Sequence, residues 1–294
     1  MLSVHDLTRV YGDKTVLDGV SFDVRPGQMT GFVGANGAGK TTTMRIIVGV
    51  LAATRGTVTW DGAPITTEQR RRIGYMPEER GLYPKMKVLD QLVFFGRLHG
   101  MDASDAAVRA RDLLERLGLE ERAGDVLETL SLGNQQRVQI AAALVHGPDA
   151  LVMDEPFSGL DPIAVDSMVS LLRDEVTPQM PVLFSSHQLE LVENLCDDLV
   201  ILAGGRLVAA GSVDELRGRQ ADRYRIVLAG DADAGALRDL PQISVLDAQG
   251  SQALVEIIDG PPEKVLEIVQ GTAQVAEFAR VVRPLAQVYR EAVR

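Results

Sequence analysis

Two short segments of the sequence combine glycine, lysine, threonine and carboxylate residues at spacings suited to chemistry on phosphate groups. The first, Gly-Ala-Asn-Gly-Ala-Gly-Lys-Thr at 34–41, fits the pattern G-x-x-x-x-G-K-[ST] in full. Glycines let backbone N–H groups curl around phosphate oxygens without side-chain clashes. Lys40 would neutralise phosphate charge, and Thr41 would offer its hydroxyl to Mg²⁺. The predicted nucleotide contacts are Gly34, Ala35, Asn36, Gly37, Ala38, Gly39, Lys40, Thr41 and Thr42.

The second segment is an apolar strand that ends in two carboxylates. Residues 150–153, Ala-Leu-Val-Met, are followed by Asp154 and Glu155. Adjacent residues on a strand point in opposite directions, so we expect different roles for the two acids. Asp154 is predicted to hold Mg²⁺ through water, and Glu155 to orient and polarise the water that attacks the terminal phosphate. Alone, such a pair is often only a solvated strand end; together with a complete phosphate loop it predicts hydrolysis of ATP.

An α/β framework is predicted to position both segments. The apolar run 28–33 predicts a strand that feeds the phosphate loop, and 41–50 predicts the helix that leaves it. Strand, glycine loop and helix in this order open an α/β nucleotide-binding fold. Between about 82 and 147 the pattern becomes helical: 88–98 is amphipathic, and 104–117 begins with a plausible N-cap and carries apolar residues at helical spacing. Strands return from 150–153 onwards. The sequence therefore predicts a helical subdomain inserted into an α/β core.

A second change of composition follows a charged stretch at 217–223. Beyond it the hydrophobic pattern predicts the order strand, helix, strand, strand, helix, strand, with a closing helix at 285–293. That order is typical of a small ferredoxin-like α+β domain. We therefore expect two domains, 1–216 and 217–294, of which the second shows no residues suited to chemistry.

Three further segments single out one family among proteins that contain such a phosphate loop. Residues 130–137, Leu-Ser-Leu-Gly-Asn-Gln-Gln-Arg, resemble the signature segment of the ABC ATPases, and 158–161, Ser-Gly-Leu-Asp, resemble their D-loop. His187 follows an apolar strand and resembles their switch histidine. The order and spacing of these segments resemble an ABC transporter ATP-binding domain over 1–216. Tyr11 falls where this family stacks an aromatic ring on adenine.

The resemblance implies both a fold and an assembly. The fold would be a P-loop NTPase core of the ABC type with an inserted helical subdomain, plus the small C-terminal domain. Two chains would form a head-to-tail dimer with ATP and Mg²⁺ between them. The Ser131 hydroxyl and the Gly133 N–H of one chain would close over the ATP of the other, and Asp161 is a further implied contact. His187 would contact the terminal phosphate and keep Glu155 and the water aligned. The implied catalytic residues are Lys40, Glu155 and His187.

Each of these features alone has a simpler explanation. An isolated histidine after a strand is usually a packed or surface residue, and Tyr11 alone would be a packed loop aromatic. The segment 130–137 alone could be an ordinary helix start with a serine cap. Their joint occurrence with a complete phosphate loop favours the functional interpretation.

Three positions depart from the common pattern of the family. Leu132 and Asn134 replace a glycine and a glutamine of the usual signature, whereas Ser131 and Gly133 are kept. Glu78 stands where the family usually has a glutamine that contacts Mg²⁺ and the membrane partner; a carboxylate still offers an oxygen but cannot donate a hydrogen bond. These departures and the C-terminal domain resemble the subgroup that serves ABC-2 exporters, including sodium-, drug- and antibiotic-efflux systems. The predicted Mg²⁺ ligands are Thr41, Asp154 and Glu78.

The composition limits where the protein works and what it binds. The 294 residues carry a net charge of −11 and a pI of about 4.9, which argues against a basic surface for nucleic acid or anionic lipid. The single cysteine, Cys196, excludes a disulfide framework. No run approaches the ~20 apolar residues that cross a bilayer. We expect a peripheral protein on the cytoplasmic face of the cell membrane, with a separate transmembrane permease and with a second copy or a paralogous ATPase as its partner.

Three other functions stay open at this point. ABC ATPases that act in translation usually carry two nucleotide cassettes in one chain, and this chain has one. DNA-repair members place a long coiled coil between the phosphate loop and the signature, but only about 90 residues separate them here. An importer ATPase is a further alternative. If the chain serves a transporter, the permease selects the substrate.

Overall fold

The computed structural model describes residues 1–79, 81–218, 223–230 and 232–281. Within these ranges the chain forms two compact units, one spanning Met1–Val213 and one beginning at Asp214. Both contain sheets and helices, as the predicted α/β and α+β classes require.

The described strands of the first unit form two sheets. In chain order they are β1 (Leu2–Tyr11), β2 (Lys14–Val24), β3 (Met29–Val33), β4 (Arg55–Trp60), β5 (Ala63–Pro64), β6 (Ile73–Met76), β7 (Ala150–Met153), β8 (Val182–Ser186), β9 (Asp198–Ala203) and β10 (Arg206–Ser212). An antiparallel sheet has the order β2-β1-β4-β5, and a six-stranded sheet has the order β10-β9-β3-β8-β7-β6.

The centre of the six-stranded sheet is parallel and buried on both faces. The strands β3, β8, β7 and β6 pair in parallel, and every residue of β3, β7 and β8 is buried. Strands covered on both faces are apolar throughout rather than alternating, as 150–153 is. Because the carboxyl ends of parallel strands meet at one edge of the sheet, the segments after β3, β7 and β8 lie close together. These segments contain the phosphate loop, the two carboxylates and His187.

The described helices of the first unit include those of the predicted insert. They are α1 (Lys40–Ile47), α2 (Thr67–Arg71), α3 (Val88–Leu98), α4 (Ala103–Arg116), α5 (Leu132–Leu144), α6 (Pro162–Glu175) and α7 (Leu189–Leu195). A short helix, α8 (Val213–Gly218), follows β10 in the chain, where the second unit begins.

The insert between β6 and β7 consists mainly of α3, α4 and α5. The first two pack against each other through apolar residues such as Leu92 and Leu113, which are fully buried. Arg109 and Arg116 of α4 both pair with Glu175, the last residue of α6. Charged hydrogen bonds of this kind are among the stronger polar contacts, so the insert is fixed to α6 as well as to its own core.

The second unit contains a four-stranded antiparallel sheet whose core includes residues of two helices. Its strands are β11 (Arg223–Leu228), β12 (Ile243–Gln249), β13 (Gln252–Ile257) and β14 (Val275–Arg280), in the sheet order β12-β13-β11-β14. A 3-10 helix, Ala234–Asp239, follows β11, and α9 (Pro262–Thr272) follows β13. The order β-helix-β-β-helix-β is therefore the predicted ferredoxin-like one. The closing helix predicted at 285–293 lies outside the described residues.

Candidate nucleotide site

The phosphate loop connects β3 to α1 with a backbone that favours glycine. Gly37 and Gly39 have φ angles of 80° and 108°, a region that other residues rarely adopt. A Cβ at Gly39 would also lie 2.5 Å from a methyl carbon of Leu17. Gly39 is the N-cap of α1 and has no side chain to cap it. The first N–H groups of α1 are therefore directed at an incoming anion, whose charge the helix dipole favours.

Lys40 is held inside this loop. Its side chain is 7% exposed, and its ammonium donates a hydrogen bond to the Gly34 carbonyl at 2.7 Å. The same nitrogen lies 3.9 Å from a carboxylate oxygen of Glu155. A buried cation within a ring of backbone N–H groups is suited to phosphate oxygens.

The structure holds the two carboxylates after β7 in different surroundings. The Ser185 hydroxyl donates to Asp154 Oδ1 at 2.6 Å, and its oxygen accepts the N–H of Glu155 at 2.8 Å. The second carboxylate oxygen of Asp154 is buried and has no hydrogen-bond partner among the described residues. Buried carboxylate oxygens are normally satisfied, so this one fits a bound water or cation. Ser185 was not predicted, because its role depends on β8 lying beside β7.

Glu155 faces both Lys40 and His187, the predicted switch histidine. One of its carboxylate oxygens lies 2.9 Å from Nδ1 of His187, whose side chain is half exposed. The Glu155 backbone has φ of 52°, which is uncommon for a residue other than glycine. The structure thus brings together Lys40, Glu155 and His187, the implied catalytic set, at the carboxyl edge of the parallel sheet.

A cavity of about 200 Å³ lies over the phosphate loop. Most of the predicted nucleotide contacts and all of the predicted metal ligands line this cavity. The lining residues are Val16, Ala35, Asn36, Gly37, Ala38, Gly39, Lys40, Thr41, Thr42, Glu78, Asp154 and Glu155. The exposed Glu78 therefore reaches the cavity despite standing in a separate loop. Val16, on β2, was missed because nothing in its local sequence marks a ligand contact.

The residues around this cavity fit a Mg²⁺ ion shared with a nucleotide. No group of three or more His, Cys, Asp or Glu side chains that could hold a metal occurs within the described ranges. Mg²⁺ is usually bound by one or two protein oxygens, substrate phosphates and water rather than by a protein cage. The hydroxyl of Thr41 and the unsatisfied oxygen of Asp154 are donors of that kind.

The signature and D-loop residues lie apart from this cavity. Ser131 is exposed and is the N-cap of α5, where its hydroxyl accepts the N–H of Asn134 at 3.3 Å. Asp161 is likewise exposed and caps α6 by accepting the N–H of Ala164 at 2.9 Å. Of the described residues that line the phosphate cavity, none is Ser131, Gly133 or Asp161. Two predicted nucleotide-binding segments therefore face outward in the single chain.

Tyr11 also lies outside the cavity lining. Its ring is 45% exposed at the end of β1, and the guanidinium of Arg9 lies 4.3 Å from the ring centroid. The ring is therefore an accessible aromatic surface close to the start of β2. Its contact with adenine stays a prediction.

Comparison with known proteins assigns the chain to a family. Residues 17–158 match the family model described as ABC transporter. The uncharacterized ABC transporter ATP-binding protein YhaQ of Bacillus subtilis is 42% identical over 79% of this chain and 78% of its own length. The linearmycin resistance ATP-binding protein LnrL of Bacillus subtilis is 34% identical over 90% of this chain and 88% of its own length. The Nod factor export ATP-binding protein I of Ralstonia nicotianae is 37% identical over 89% and 83%.

The fold has a matching solved structure. The ATP-binding subunit of an ABC transporter superposes with a TM-score of 0.69 and 33% identity, over 74% of this chain and 92% of that one. The predicted P-loop fold and the predicted ATP hydrolase are thereby confirmed. The chain therefore belongs to the ABC transporter ATP-binding proteins.

Proposed function

We propose that this protein is the ATPase subunit of an ABC-2 type exporter and works as a dimer with a separate transmembrane permease. The observation that carries the proposal is the separation of the site into a phosphate half and an outward-facing signature half. Two relatives that span most of the chain are named for linearmycin resistance and Nod factor export, which supports export over import.

The chain's own residues suggest how hydrolysis proceeds. The loop N–H groups and Lys40 would bind the β- and γ-phosphates. Thr41, Asp154 and Glu78 would hold Mg²⁺, which neutralises phosphate charge when bound. Glu155 would accept a proton from the attacking water, since its carboxylate is fixed between His187 and Lys40. His187, half exposed, would be positioned to reach the terminal phosphate.

The missing donors for the nucleotide would come from a second copy. The exposed Ser131 is the N-cap of α5, and the half-buried Gly133 lies in its first turn. A helix N-terminus is a natural anion site, and the phosphate loop covers only one side of ATP. Two chains placed head to tail would therefore complete two identical sites, an arrangement that closed two-fold symmetry allows.

A cluster of exposed aromatic side chains follows the Glu78 loop in the chain and is suited to contact the permease. Tyr83 and Phe94 are 49% and 41% exposed, and their rings contact each other and Phe95. Leu98, one turn further along α3, is 67% exposed. Apolar patches of this kind on a surface mark interaction sites. No helix within the described ranges is long and apolar enough to span a membrane. The proposed permease would hold the protein at the cytoplasmic face of the membrane.

Purification from a mild-detergent extract tests the proposal. The tagged chain should bring down a multi-span membrane protein, whereas ribosomes or DNA would contradict the assignment. Phe94→Lys should lose that protein, because it places a charge in the apolar contact. Val108→Lys, a matched change at a 69% exposed residue of α4, should retain it. Equal loss or equal retention in both variants would refute the proposed docking surface.

A further inference from the structure

The helix α5 directs glutamine side chains toward backbone carbonyls of the surrounding loops. The Gln135 amide donates to the Leu130 carbonyl at 2.8 Å, at the start of its own helix. The Gln139 amide donates to the Pro77 carbonyl at 2.6 Å, immediately before Glu78. These contacts fix α5 to the signature segment at one point and to the Glu78 loop at another.

Gln136 makes the contact that bears on hydrolysis. Its amide nitrogen lies 3.1 Å from the carbonyl oxygen of Glu155 and 2.9 Å from that of Pro156, and it donates to both. The side chain is partly buried. A single amide on α5 therefore holds the backbone at the carboxylate that follows β7.

The Glu155 backbone needs such support. Its φ of 52° lies in the left-handed region, which a residue with a long side chain adopts only when its surroundings impose it. Its N–H is held by Ser185 on one side, and its carbonyl is held by Gln136 on the other. Together the two contacts set the direction in which the carboxylate leaves the backbone.

The position of Gln136 separates it from the groups that touch the nucleotide. It lines a second cavity of about 530 Å³, together with Glu78, Gln139 and Glu155. Among the described residues around the phosphate cavity it does not appear. Within one chain, Gln136 can therefore influence the reaction through Glu155 rather than by contact with the ATP on its own phosphate loop.

We propose that Gln136 is a positioning residue for hydrolysis, whose amide keeps the Glu155 carboxylate aimed at the attacking water. This role rests on the function proposed above for Glu155. The proposal separates binding from turnover: the phosphate loop and Lys40 bind ATP without Gln136, whereas the water is activated only while Glu155 holds its direction.

Replacing the amide by an apolar group of similar size tests the role. For Gln136→Leu in the full chain we expect kcat to fall about tenfold, because misplacing a catalytic group by about 1 Å costs up to about 100-fold in rate. The Kd for ATP should stay within about twofold, since no phosphate contact is lost. Gln136→Lys restores an N–H donor of similar reach and should bring kcat back to within about threefold of the parent. If Gln136→Leu fails to fold, Gln136→Asn, which draws the donor back by one methylene, should lower kcat in the same way.

Arg122→Met is the control, since the exposed Arg122 donates to Asp125 at 3.1 Å and is not among the residues that line either cavity. It should keep the parent kcat. An equal loss in Arg122→Met, an unchanged kcat in Gln136→Leu, or no recovery in a folded Gln136→Lys would overturn the proposal. Glu155→Gln is measured in parallel. If Glu155→Gln hydrolyses ATP at the parent rate, the proposed function of Glu155 is wrong. If Glu155→Gln is inactive but Gln136→Leu hydrolyses ATP at the parent rate, only the positioning role of Gln136 is wrong.

Discussion

The phosphate side and the signature side of this protein differ in how much one chain completes by itself. On the phosphate side Lys40, Asp154 and Glu155 are each less than 10% exposed and are held by Gly34, Ser185 and His187. On the signature side Ser131 and Asp161 are exposed, and their oxygens only cap the helices on which they lie.

This difference separates the binding of ATP from its hydrolysis. A preorganised pocket binds its ligand with little reorganisation, so the phosphate side of one chain would hold ATP by its phosphates. On the signature side Ser131 and Asp161 cap two helix starts, and neither residue lines the phosphate cavity of its own chain. Closure around ATP by a second copy would then be the event that enables hydrolysis. Substitutions on the two sides should therefore have different consequences, and four of them test the comparison.

Lys40→Ala on the phosphate side is expected to remove ATP binding itself. The change leaves phosphate charge unpaired in a buried site, which typically costs about 2–5 kcal/mol, or a loss of affinity of at least about 30-fold. Binding of a fluorescent ATP analogue measures it. An unchanged affinity would remove the basis for the phosphate half-site.

Glu155→Gln should separate binding from hydrolysis on that same side. The amide retains the shape of the carboxylate but cannot accept the proton of the water, so we expect ATP binding within about threefold and turnover lowered by about 100-fold or more. Because ATP persists, the variant should accumulate as a closed dimer, visible by light scattering. Turnover at the parent rate would show that another group activates the water.

Ser131→Asp tests the signature side without removing the helix cap. Aspartate is as good an N-cap as serine, so the melting temperature should be retained. In a closed dimer its carboxylate would face the γ-phosphate of the other chain, and such like-charge contacts cost several kcal/mol. We expect hydrolysis to fall at least about 30-fold while each chain still binds ATP. If the purified variant hydrolyses normally, Ser131 does not face a nucleotide.

The smallest effect is expected for Glu78→Gln, where the two sides meet at the loop after β6. Both side chains offer an oxygen to a cation, so basal hydrolysis should change by no more than about threefold, which is less than 1 kcal/mol in activation free energy. Steady-state ATPase measures it, and transport by the assembled system measures coupling separately. Complete loss of hydrolysis would show that the carboxylate itself is required.

The sequence predicted the parts of the site that depend on local pattern. The phosphate loop is continuous in the chain, and a buried strand followed by Asp154 and Glu155 is visible without knowing its neighbours. Ser185 contacts Glu155 from a neighbouring strand, and Gln136 contacts it from another helix. The local sequence pattern does not show which strands and helices are adjacent. The helix α6 begins at Pro162 with Asp161 as its N-cap, a helix-start signal that was not used because 158–161 was interpreted only as a D-loop.

Element bounds show the same limit. The predicted helix 88–98 matches α3, because its apolar stripe and its ends are both clear. The helix predicted to begin at 104 begins at Ala103 instead, so that Ser104 lies in its first turn rather than at its cap. The helix predicted over 41–50 begins at Lys40 and ends at Ile47, since Gly49 has a φ of 83° that a helix does not allow.

The dependence of hydrolysis on protein concentration tests the central claim most directly, because that claim assigns half of each ATP site to a second chain. Specific ATPase activity would be measured at saturating ATP and Mg²⁺ while the purified chain is diluted, with the mass followed by light scattering. The proposed dimer predicts that the rate per chain falls as dimers disappear. A constant rate per chain in a strictly monomeric sample would contradict it.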